Sequence, residues 1–485
     1  MKAQRTKWAL KLLSLVLTFQ GCTNSYQAIQ LAASSQVPAD VVQDFSASEW
    51  QELQKLSPAP QLPKPPVDVT NRFADNPNAA KLGQELFFDP GFSGPLLESD
   101  NDGFHDGAGL QGETGRVSCA SCHVPASGFS DTRTIHKQLS LASGWTFRRT
   151  PSILDVGHAK LLMWDGRFDS LQRQVLAVFE SPMEGNSSRL YFAQDIARRY
   201  ARPYQDLFGK DPTVVLGSSY PQLAPQDSGC KMILNSTTTP TDDCADGTRN
   251  GVPGAADYES LSPDQKNQVT EIVLNVGKAI AAYERLLSCG TGRFDAYMHG
   301  DRSALSESEI RGAKLFVGKA KCADCHSGPF FSDQKFHNVG MFPAIVSAAF
   351  VRKNDEGAEK GLAQVVADPL NSQSPFSDGH DGRLPTTPAT KMLGAFRTPM
   401  LRCSSQRPSF MRTGQFRTLE QVVEFFNKGG HKQPGVPAPA IIGHLGETEL
   451  TPLGLTDEEV ADVVAFIKSL DGPGPAPELL KDPFE

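Results

Sequence analysis

Two pentapeptides, CASCH at residues 119–123 and CADCH at residues 322–326, decide the fold of this 485-residue chain. In each, two thiols have the spacing that adds across the vinyl groups of a haem, and the following histidine can bind the iron. With 9 cysteines and 10 histidines in the chain, chance would produce only roughly 0.003 such pentapeptides. The motifs therefore predict two covalent c-type haems, bound by Cys119, Cys122, His123, Cys322, Cys325 and His326.

A pair of zinc half-sites is the alternative interpretation of the same cysteines. Such half-sites usually lie about 15–20 residues apart in one small module. Here roughly 200 residues separate the two motifs, and each has its own histidine. The spacing thus favours haem over zinc.

The N-terminus predicts export from the cytoplasm. Four basic residues lie among the first eleven, and an apolar run through Phe19 is too short to span a bilayer. The run ends in Gln20-Gly21-Cys22, which resembles a bacterial lipoprotein signal (residues 1–21) with Cys22 as the lipidated residue. Simple secretion, with Cys22 free or lost, is the alternative. We expect a periplasmic protein that touches the membrane only through a lipid anchor.

The remaining cysteines indicate disulfides. Four on haem and one at the lipid site leave Cys230, Cys244, Cys289 and Cys403. An even remainder in an oxidising compartment favours two disulfides. Cys230 with Cys244 is the local pair. Cys289 with Cys403 follows by elimination, and free buried thiols remain its alternative.

Periodicity and composition predict a mainly α-helical protein. One helical stripe lies within residues 263–287, and capping boxes begin further helices at Ser306, Thr418 and Thr456. A net charge of −8 without basic clusters argues against nucleic acid as a partner. We predict two tandem cytochrome c-like haem domains, with the boundaries as follows: a proline-rich tether at 22–75, an N-terminal haem domain at 76–300 with an insertion at 218–256, and a C-terminal haem domain at 301–485.

A set of ordered motifs then carries a family resemblance. They are LGxxLFFD (82–89), WDGR (164–167), KAxCxxCHSGP (319–329), FHNxG (336–340) and FRTPxLR (396–402). Over residues 80–470, insertions apart, the chain resembles the bacterial di-haem cytochrome c peroxidases and their MauG-like relatives. The resemblance implies a haem in the N-terminal domain that reacts with hydrogen peroxide and an electron-transfer haem in the C-terminal domain.

The resemblance also assigns three catalytic residues. Trp164 matches the family's tryptophan between the haems, and Gln174 and Glu184 keep the spacings of a glutamine and a glutamate over the N-terminal haem. Cleavage of the peroxide O–O bond needs a proton moved from one oxygen to the other, which a carboxyl group can do, while an amide can orient the peroxide. A core tryptophan and a solvated glutamate are the alternatives.

One departure from the family's peroxidases affects the N-terminal iron. Where those enzymes carry a histidine that caps this iron, just before a Gly-Trp pair, the chain has Ser143. His136 could substitute only through a loop shift, and a surface histidine is its alternative role. We expect an N-terminal iron without a cap, as in MauG-like members.

A second departure affects the C-terminal iron and a calcium ion. The family's sixth ligand, Met or Tyr, corresponds by spacing to Phe426, which cannot bind iron. Met411 is the preferred substitute, with Met400 and Met341 next, and a core position is the alternative for each. Calcium, which the family holds between its domains, is doubtful because Arg149 stands where an asparagine ligand is usual.

The function expected from the sequence is hydrogen peroxide reduction in the periplasm. Electrons would come from a small cytochrome c or cupredoxin through the C-terminal haem and Trp164. Two alternatives stay open: a MauG-like enzyme that oxidises side chains of a partner protein, and a di-haem electron carrier without catalytic activity. Gln174 and Glu184 argue against the carrier.

Overall fold

The computed structural model describes residues 44–98, 108–133, 139–231, 244, 249–341, 355–386, 392–430 and 448–484. Within these ranges the protein is mainly α-helical, as predicted, and its sheet is one antiparallel pair, β1 (Phe336–His337) with β2 (Phe396–Arg397). None of the helices described there has the length and apolarity to cross a bilayer. The helices are α1 (Ala47–Leu56), α2 (Pro77–Phe88), α3 (Cys119–Cys122), α4 (Leu171–Glu180), α5 (Arg189–Arg199), α6 (Ala201–Phe208), α7 (Pro212–Leu216), α8 (Ala256–Glu259), α9 (Pro263–Glu284), α10 (Arg293–Met298), α11 (Glu307–Val317), α12 (Ala358–Ala367), α13 (Leu419–Asn427) and α14 (Asp457–Lys468).

The predicted helix starts are confirmed. Ser306, Thr418 and Thr456 each cap a helix, and at each the side chain of the third helical residue accepts the N–H of the cap residue. The helix predicted within 263–287 is α9, which begins at a further capping box on Ser262. These local signals therefore fixed where α9, α11, α13 and α14 begin.

The first core is built around α9. Its predicted apolar stripe is buried, and the helix packs against α2 and α4. Glycines permit both contacts: a β-carbon on Gly83 of α2 would overlap the carbonyl oxygen of Ala279, and one on Gly277 would meet the backbone of Gln172 in α4. Because α4 carries Gln174, the packing of α9 on α4 sets the position of a predicted catalytic residue.

The second core joins α11, α13 and α14. Four phenylalanines meet in it, with Phe466 edge-on to Phe294 and Phe316 at ring-centroid distances of 5.2 and 5.1 Å, and with Phe331 beside them. Gly312 lets α11 approach the backbone of α14 at Asp462. Since Phe331 follows the second haem motif closely, this core supports the C-terminal haem segment.

The predicted tether at 22–75 is wrong from Phe45 onward, and residues 22–43 lie outside the described residues. Helix α1 buries Trp50, Leu53 and Leu56 in the second core. Farther along, Asn71 donates its side-chain N–H to the carbonyl oxygen of Lys278 at 3.0 Å. The prolines at 58–66 do favour an extended chain. The residues before them are nevertheless buried, because the apolar side chains of α1 pack in the second core. The residues after them are held by side-chain hydrogen bonds.

The predicted domain boundary between residues 300 and 301 is also inexact. Leu287 and Cys289 belong to the first core, whereas Phe294 and Tyr297 already belong to the second. The chain therefore changes cores within residues 290–293. The Gly-Asp-Arg-Ser stretch at 300–303 forms a turn instead of a boundary, because such residues favour turns wherever they occur.

A segment of the C-terminal half, residues 355–386, packs on the N-terminal half. Arg173 of α4 pairs with Asp368 at 2.7 Å, and the backbone N–H of Ser372 donates to the Asp169 carboxylate at 2.9 Å. The ranges 76–300 and 301–485 thus do not describe two independent packing units. The composition of the sequence could not reveal these contacts, because they join residues about 200 positions apart in sequence.

The two halves contain an internal repeat next to the haem motifs. Phe129 and Phe331 both have a φ of 53°. The following serines, Ser130 and Ser332, donate hydroxyl hydrogen bonds to the carbonyl oxygens of Thr150 and Thr398 at 3.4 and 2.7 Å. The matching sequences are FSD at 129–131 and 331–333 and RTP at 149–151 and 397–399.

The repeat continues past the RTP segments. Met163 and Met411 occupy matching positions and both adopt left-handed backbone conformations, with φ of 65° and 68°. Each is followed by the N-cap and first turn of a helix, α4 or α13. Two backbone hydrogen bonds cross between the halves at equivalent positions: Arg149 N–H to Arg412 O at 2.6 Å, and Arg397 N–H to Trp164 O at 2.8 Å. Each half therefore donates one of these backbone hydrogen bonds to the other half.

Both predicted disulfides are confirmed, with Cα–Cα distances of 5.3 Å for Cys230–Cys244 and 5.7 Å for Cys289–Cys403. The first closes a separation of 14 residues and the second one of 114. The second also links the end of the first core to the chain after the second RTP segment.

Serine substitution of Cys289 and Cys403 is expected to lower the free energy of unfolding by about 5 kcal/mol, against about 3 kcal/mol for Cys230 and Cys244, because the longer loop loses more entropy on closure. Denaturant unfolding of the two double variants beside the parent measures both values. The Cys230/Cys244 pair is the matched control, and a larger loss for that pair would contradict the account.

Candidate functional site

A cavity of about 250 Å³ lies beside the first haem motif. Three elements form most of its wall: the motif itself, the RTP segment at 149–151, and α4 with the turn that follows it. Residues 355–357 and 360 of the C-terminal half close one side. The predicted residues brought together here are Cys119, Cys122, His123, Trp164, Gln174 and Glu184.

A larger cavity, of about 470 Å³, lies beside the second haem motif. Helix α13 and the segment 396–412 supply much of its wall. Phe426 lines this cavity, as its predicted position requires, and so do all three candidate ligands for the iron. The predicted residues in the wall are Cys322, Cys325, His326, Met341, Met400, Met411 and Phe426.

The two motif histidines have the same orientation. The Nδ1 of His123 is 3.2 Å from the carbonyl oxygen of Phe129, and that of His326 is 2.8 Å from the carbonyl oxygen of Phe331. A carbonyl only accepts, so Nδ1 donates its proton and Nε2 keeps a lone pair for iron. Desolvation lowers the pKa of His123 to about 4 and also lowers the pKa of His326, which favours the neutral imidazole that binds metal.

Guanidinium groups in the cavity walls fit the propionate carboxylates of haem. Arg397 lines both cavities and Arg407 the second, and desolvation lowers the pKa of each to about 10. Neither has a carboxylate within ion-pair distance in the described part of the chain, and the Nε of Arg407 has no hydrogen-bond acceptor there. Desolvated cations of this kind need an anion. The residues present therefore fit two haems.

The Glu184 backbone is held by the segment that carries Ser143. The N–H of Ser143 donates to the carbonyl oxygen of Glu184 at 3.1 Å, and that of Gly144 to Met183 at 3.0 Å. Ser143 is fully buried. Among the described residues lining this cavity, His123 is the sole histidine. His136 lies outside the described residues, so its predicted role is untested.

Trp164 belongs to the walls of both cavities. Its indole Nε1–H donates to the carbonyl oxygen of Arg149 at 2.8 Å, and its own carbonyl oxygen accepts the Arg397 N–H. Each RTP segment thus holds one end of the residue. Among the described residues, Trp164 is the one aromatic side chain that lines both cavities.

Comparison with known proteins agrees with this geometry. Residues 77–219 match the profile of a family described as di-haem cytochrome c peroxidase. Relatives include a cytochrome-c peroxidase, IdrP1, of Pseudomonas sp. (strain SCT), at 27% identity over 85% of both chains, and the methylamine utilization protein MauG of Methylorubrum extorquens, at 25% identity over 93% of this chain and 92% of that one. Over most of its length the chain is thus similar to cytochrome-c peroxidases and MauG proteins, and residues 77–219 match the di-haem peroxidase family itself. These similarities make it an oxidoreductase and imply haem cofactors.

Solved structures support the same fold. A MauG-like protein associated with microbial copper homeostasis has a TM-score of 0.54 at 23% identity, covering 87% of this chain and 97% of that one. The diheme peroxidase BthA of Burkholderia thailandensis has a TM-score of 0.53 at 21% identity, covering 85% and 95%. At these identities the likeness concerns the fold alone.

A charge network beside Trp164 was missed by sequence reasoning. Arg148 pairs with Asp165 and Asp355, each at 2.6 Å, and Arg412 lies 3.6 Å from Asp355. Burial raises the pKa of Asp165, but the guanidinium groups of Arg167 and Arg148 outweigh it and hold that pKa below the usual range. Asp165 follows Trp164 in the WDGR motif, which was a usable signal. Nothing in the sequence pointed to Asp355.

Met411→Ala is expected to convert the predicted C-terminal haem from low to high spin, since Phe426 has no donor atom and Met411 lines the cavity. Electron paramagnetic resonance of the oxidised protein makes the measurement. Met400→Ala is the matched control, and intact mass checks that two covalent haems remain in each variant.

The opposite assignment gives a distinct spectrum. If the parent already shows two high-spin haems, Met411 is not a ligand. Phe426→Met should then create one low-spin haem.

Proposed function

We propose that the protein reduces hydrogen peroxide to water at the N-terminal haem, in the periplasm, with electrons that enter at the C-terminal haem and pass through Trp164. The observation that carries the proposal is the position of Trp164 in the walls of both cavities, while Gln174 and Glu184 line the first alone. A small cytochrome c or a cupredoxin would be the electron donor.

The internal repeat supports two tandem cytochrome c-like haem segments. Each half combines a CxxCH motif, a histidine bonded to a phenylalanine carbonyl, and an RTP segment. Two independent sites with this common plan are the arrangement that two covalent c-type haems require. The two disulfides support a location outside the cytoplasm, since such bonds persist in oxidising compartments. We infer that Cys22 carries the lipid anchor.

The residues of the first cavity divide the acid–base work. Haem, when bound, would supply the iron that binds the peroxide and transfers electrons to it. Gln174 presents an amide N–H to orient the peroxide, and that amide lies 3.8 Å from the Met163 sulfur. Glu184 accepts a proton from one peroxide oxygen and returns it to the other. Two further protons and two electrons complete the conversion of one peroxide to two waters.

The Ser143 segment supports a site open to peroxide at rest. A buried serine whose backbone bonds to Glu184 stands where the family's peroxidases carry a capping histidine. The same hydrogen bonds hold the Glu184 turn against the cavity. Peroxide would then react without prior reduction of the other haem.

The open site also favours a second candidate, MauG-like oxidation of a partner protein's side chains. In that case electrons leave the partner instead of a donor cytochrome, and the route through the C-terminal haem and Trp164 is the same. Turnover of peroxide with reduced cytochrome c separates the two functions, because the MauG-like enzyme would not consume that donor.

Glu184→Gln should keep both haems and the fold but reduce peroxide turnover by about 10²–10⁴-fold, the usual contribution of a positioned acid–base group. Stopped-flow mixing with peroxide and a reduced donor measures the rate. Glu271→Gln, a change at a partly exposed residue paired with Lys210, is the matched control. Turnover equal to the parent's would remove Glu184 from the mechanism.

A further inference from the structure

Arg149 places a buried positive charge between the two cavities, whose walls both contain this residue. Its side chain is 2% exposed. Three backbone carbonyl oxygens surround the guanidinium: those of Arg133 at 3.0 Å, of Leu139 at 3.3 Å, and of Asp131. The Asp131 carboxylate, itself fully buried, lies 3.7 Å from Nη1.

This oxygen cluster is of the kind that holds a hard cation. Calcium binds carboxylate and backbone carbonyl oxygens, and the family resemblance implies a calcium ion with an asparagine ligand at this sequence position. Here the side chain supplies no oxygen, and the guanidinium binds the surrounding oxygens itself. A calcium ion does not fit beside it, because a second cation would share the same acceptors.

We propose that the Arg149 guanidinium is a built-in cation that does the work of a bound metal ion and thereby fixes the position of Trp164. A guanidinium keeps its charge at every pH the protein meets, and its planar set of five donors satisfies several oxygens at once. Unlike a bound ion, it cannot be removed by a chelator.

The link to Trp164 runs through the Arg149 backbone. Its carbonyl oxygen accepts the indole N–H of Trp164 at 2.8 Å, and its N–H donates to the carbonyl oxygen of Arg412 at 2.6 Å. The guanidinium and the main chain of one residue therefore join three described residues (Asp131, Arg133 and Leu139), the tryptophan and the C-terminal half. Arg149 acts as a positioning residue, since it holds Trp164 through these bonds.

The internal repeat shows that the cluster is specific to the first half. Arg397 is the equivalent residue of the second RTP segment, and it too lies beside Trp164. Its Nε donates to the carbonyl oxygen of Met163 at 3.3 Å, and in the described part of the chain no carboxylate pairs with it. The RTP sequence alone thus does not create the oxygen cluster.

The first test uses the parent holoprotein treated with EGTA and then dialysed with or without calcium. We expect less than about 0.1 calcium per chain by elemental analysis, and the same melting temperature and haem spectra in both samples, because Arg149 already occupies the oxygens. Stoichiometric calcium, or a loss on chelation that calcium restores, would overturn the proposal.

The second test compares Arg149→Met with Arg149→Lys in the holoprotein. The first removes the charge at similar length and the second retains it. After one equivalent of peroxide, oxidation of the C-terminal haem should slow by up to about 100-fold in the methionine variant, because Trp164 shifts, and much less in the lysine variant. Arg202→Met, at an exposed arginine, is the control.

The two variants decide the positioning role. Equal rates in the methionine variant and the parent would refute it. This second arm rests on the proposed electron route. If the parent itself passes no oxidation between its haems, the proposed function fails, whereas the calcium content and the melting temperatures still test Arg149.

Discussion

Two backbone hydrogen bonds hold together the parts of this molecule that lie between the two cavities. One runs from Arg149 to Arg412 and the other from Arg397 to Trp164, and each joins the RTP segment of one half to the chain that follows the RTP segment of the other. Because of these bonds, some of the same residues line both haem cavities. As a result a single indole lines both cavities, fixed through its ring nitrogen and its carbonyl oxygen. Any path from one haem site to the other by way of side chains starts from this arrangement.

Buried ion pairs stabilise the same region and determine how the two halves dock. Arg148 bridges Asp165 and Asp355, which lie on different halves of the chain. Removing one partner of such a buried pair typically costs about 3–5 kcal/mol, because the other charge is left desolvated. The two halves thus dock in one register, since any shift would leave these charges unpaired. Because residues of segment 355–386 line the N-terminal cavity, both halves contribute to its wall.

The sequence predicted the features that depend on short spacings. The haem motifs, the capping boxes at Ser306, Thr418 and Thr456, and the local Cys230–Cys244 disulfide all involve residues within about 15 positions of each other. Predicted residues such as Gln174 and Glu184 do meet in one cavity, although their catalytic roles stay predictions. Helix α1 was missed because the proline-rich stretch after it dominated the composition.

Features that depend on long-range packing could not be predicted in the same way. Asp355 has no local pattern, and its role exists only once α12 packs beside Trp164. The FSD and RTP repeats were present in the sequence and would have indicated two equivalent haem segments. The backbone hydrogen bonds that each repeat makes with the other half, however, could not be predicted. Nothing in the repeated residues indicates which segment of the chain they bond to.

The central claim is that Trp164 connects the two haem sites. The most direct measurement is rapid mixing of one equivalent of peroxide with the reduced holoprotein and with its Trp164→Phe variant, following the absorbance of each haem over time. The account predicts that the N-terminal haem reacts at the same rate in both proteins, whereas oxidation of the C-terminal haem is slowed by at least about tenfold in the variant, since phenylalanine is harder to oxidise and lacks the N–H that fixes the ring. Oxidation of both haems at the parent rate in the variant would contradict it.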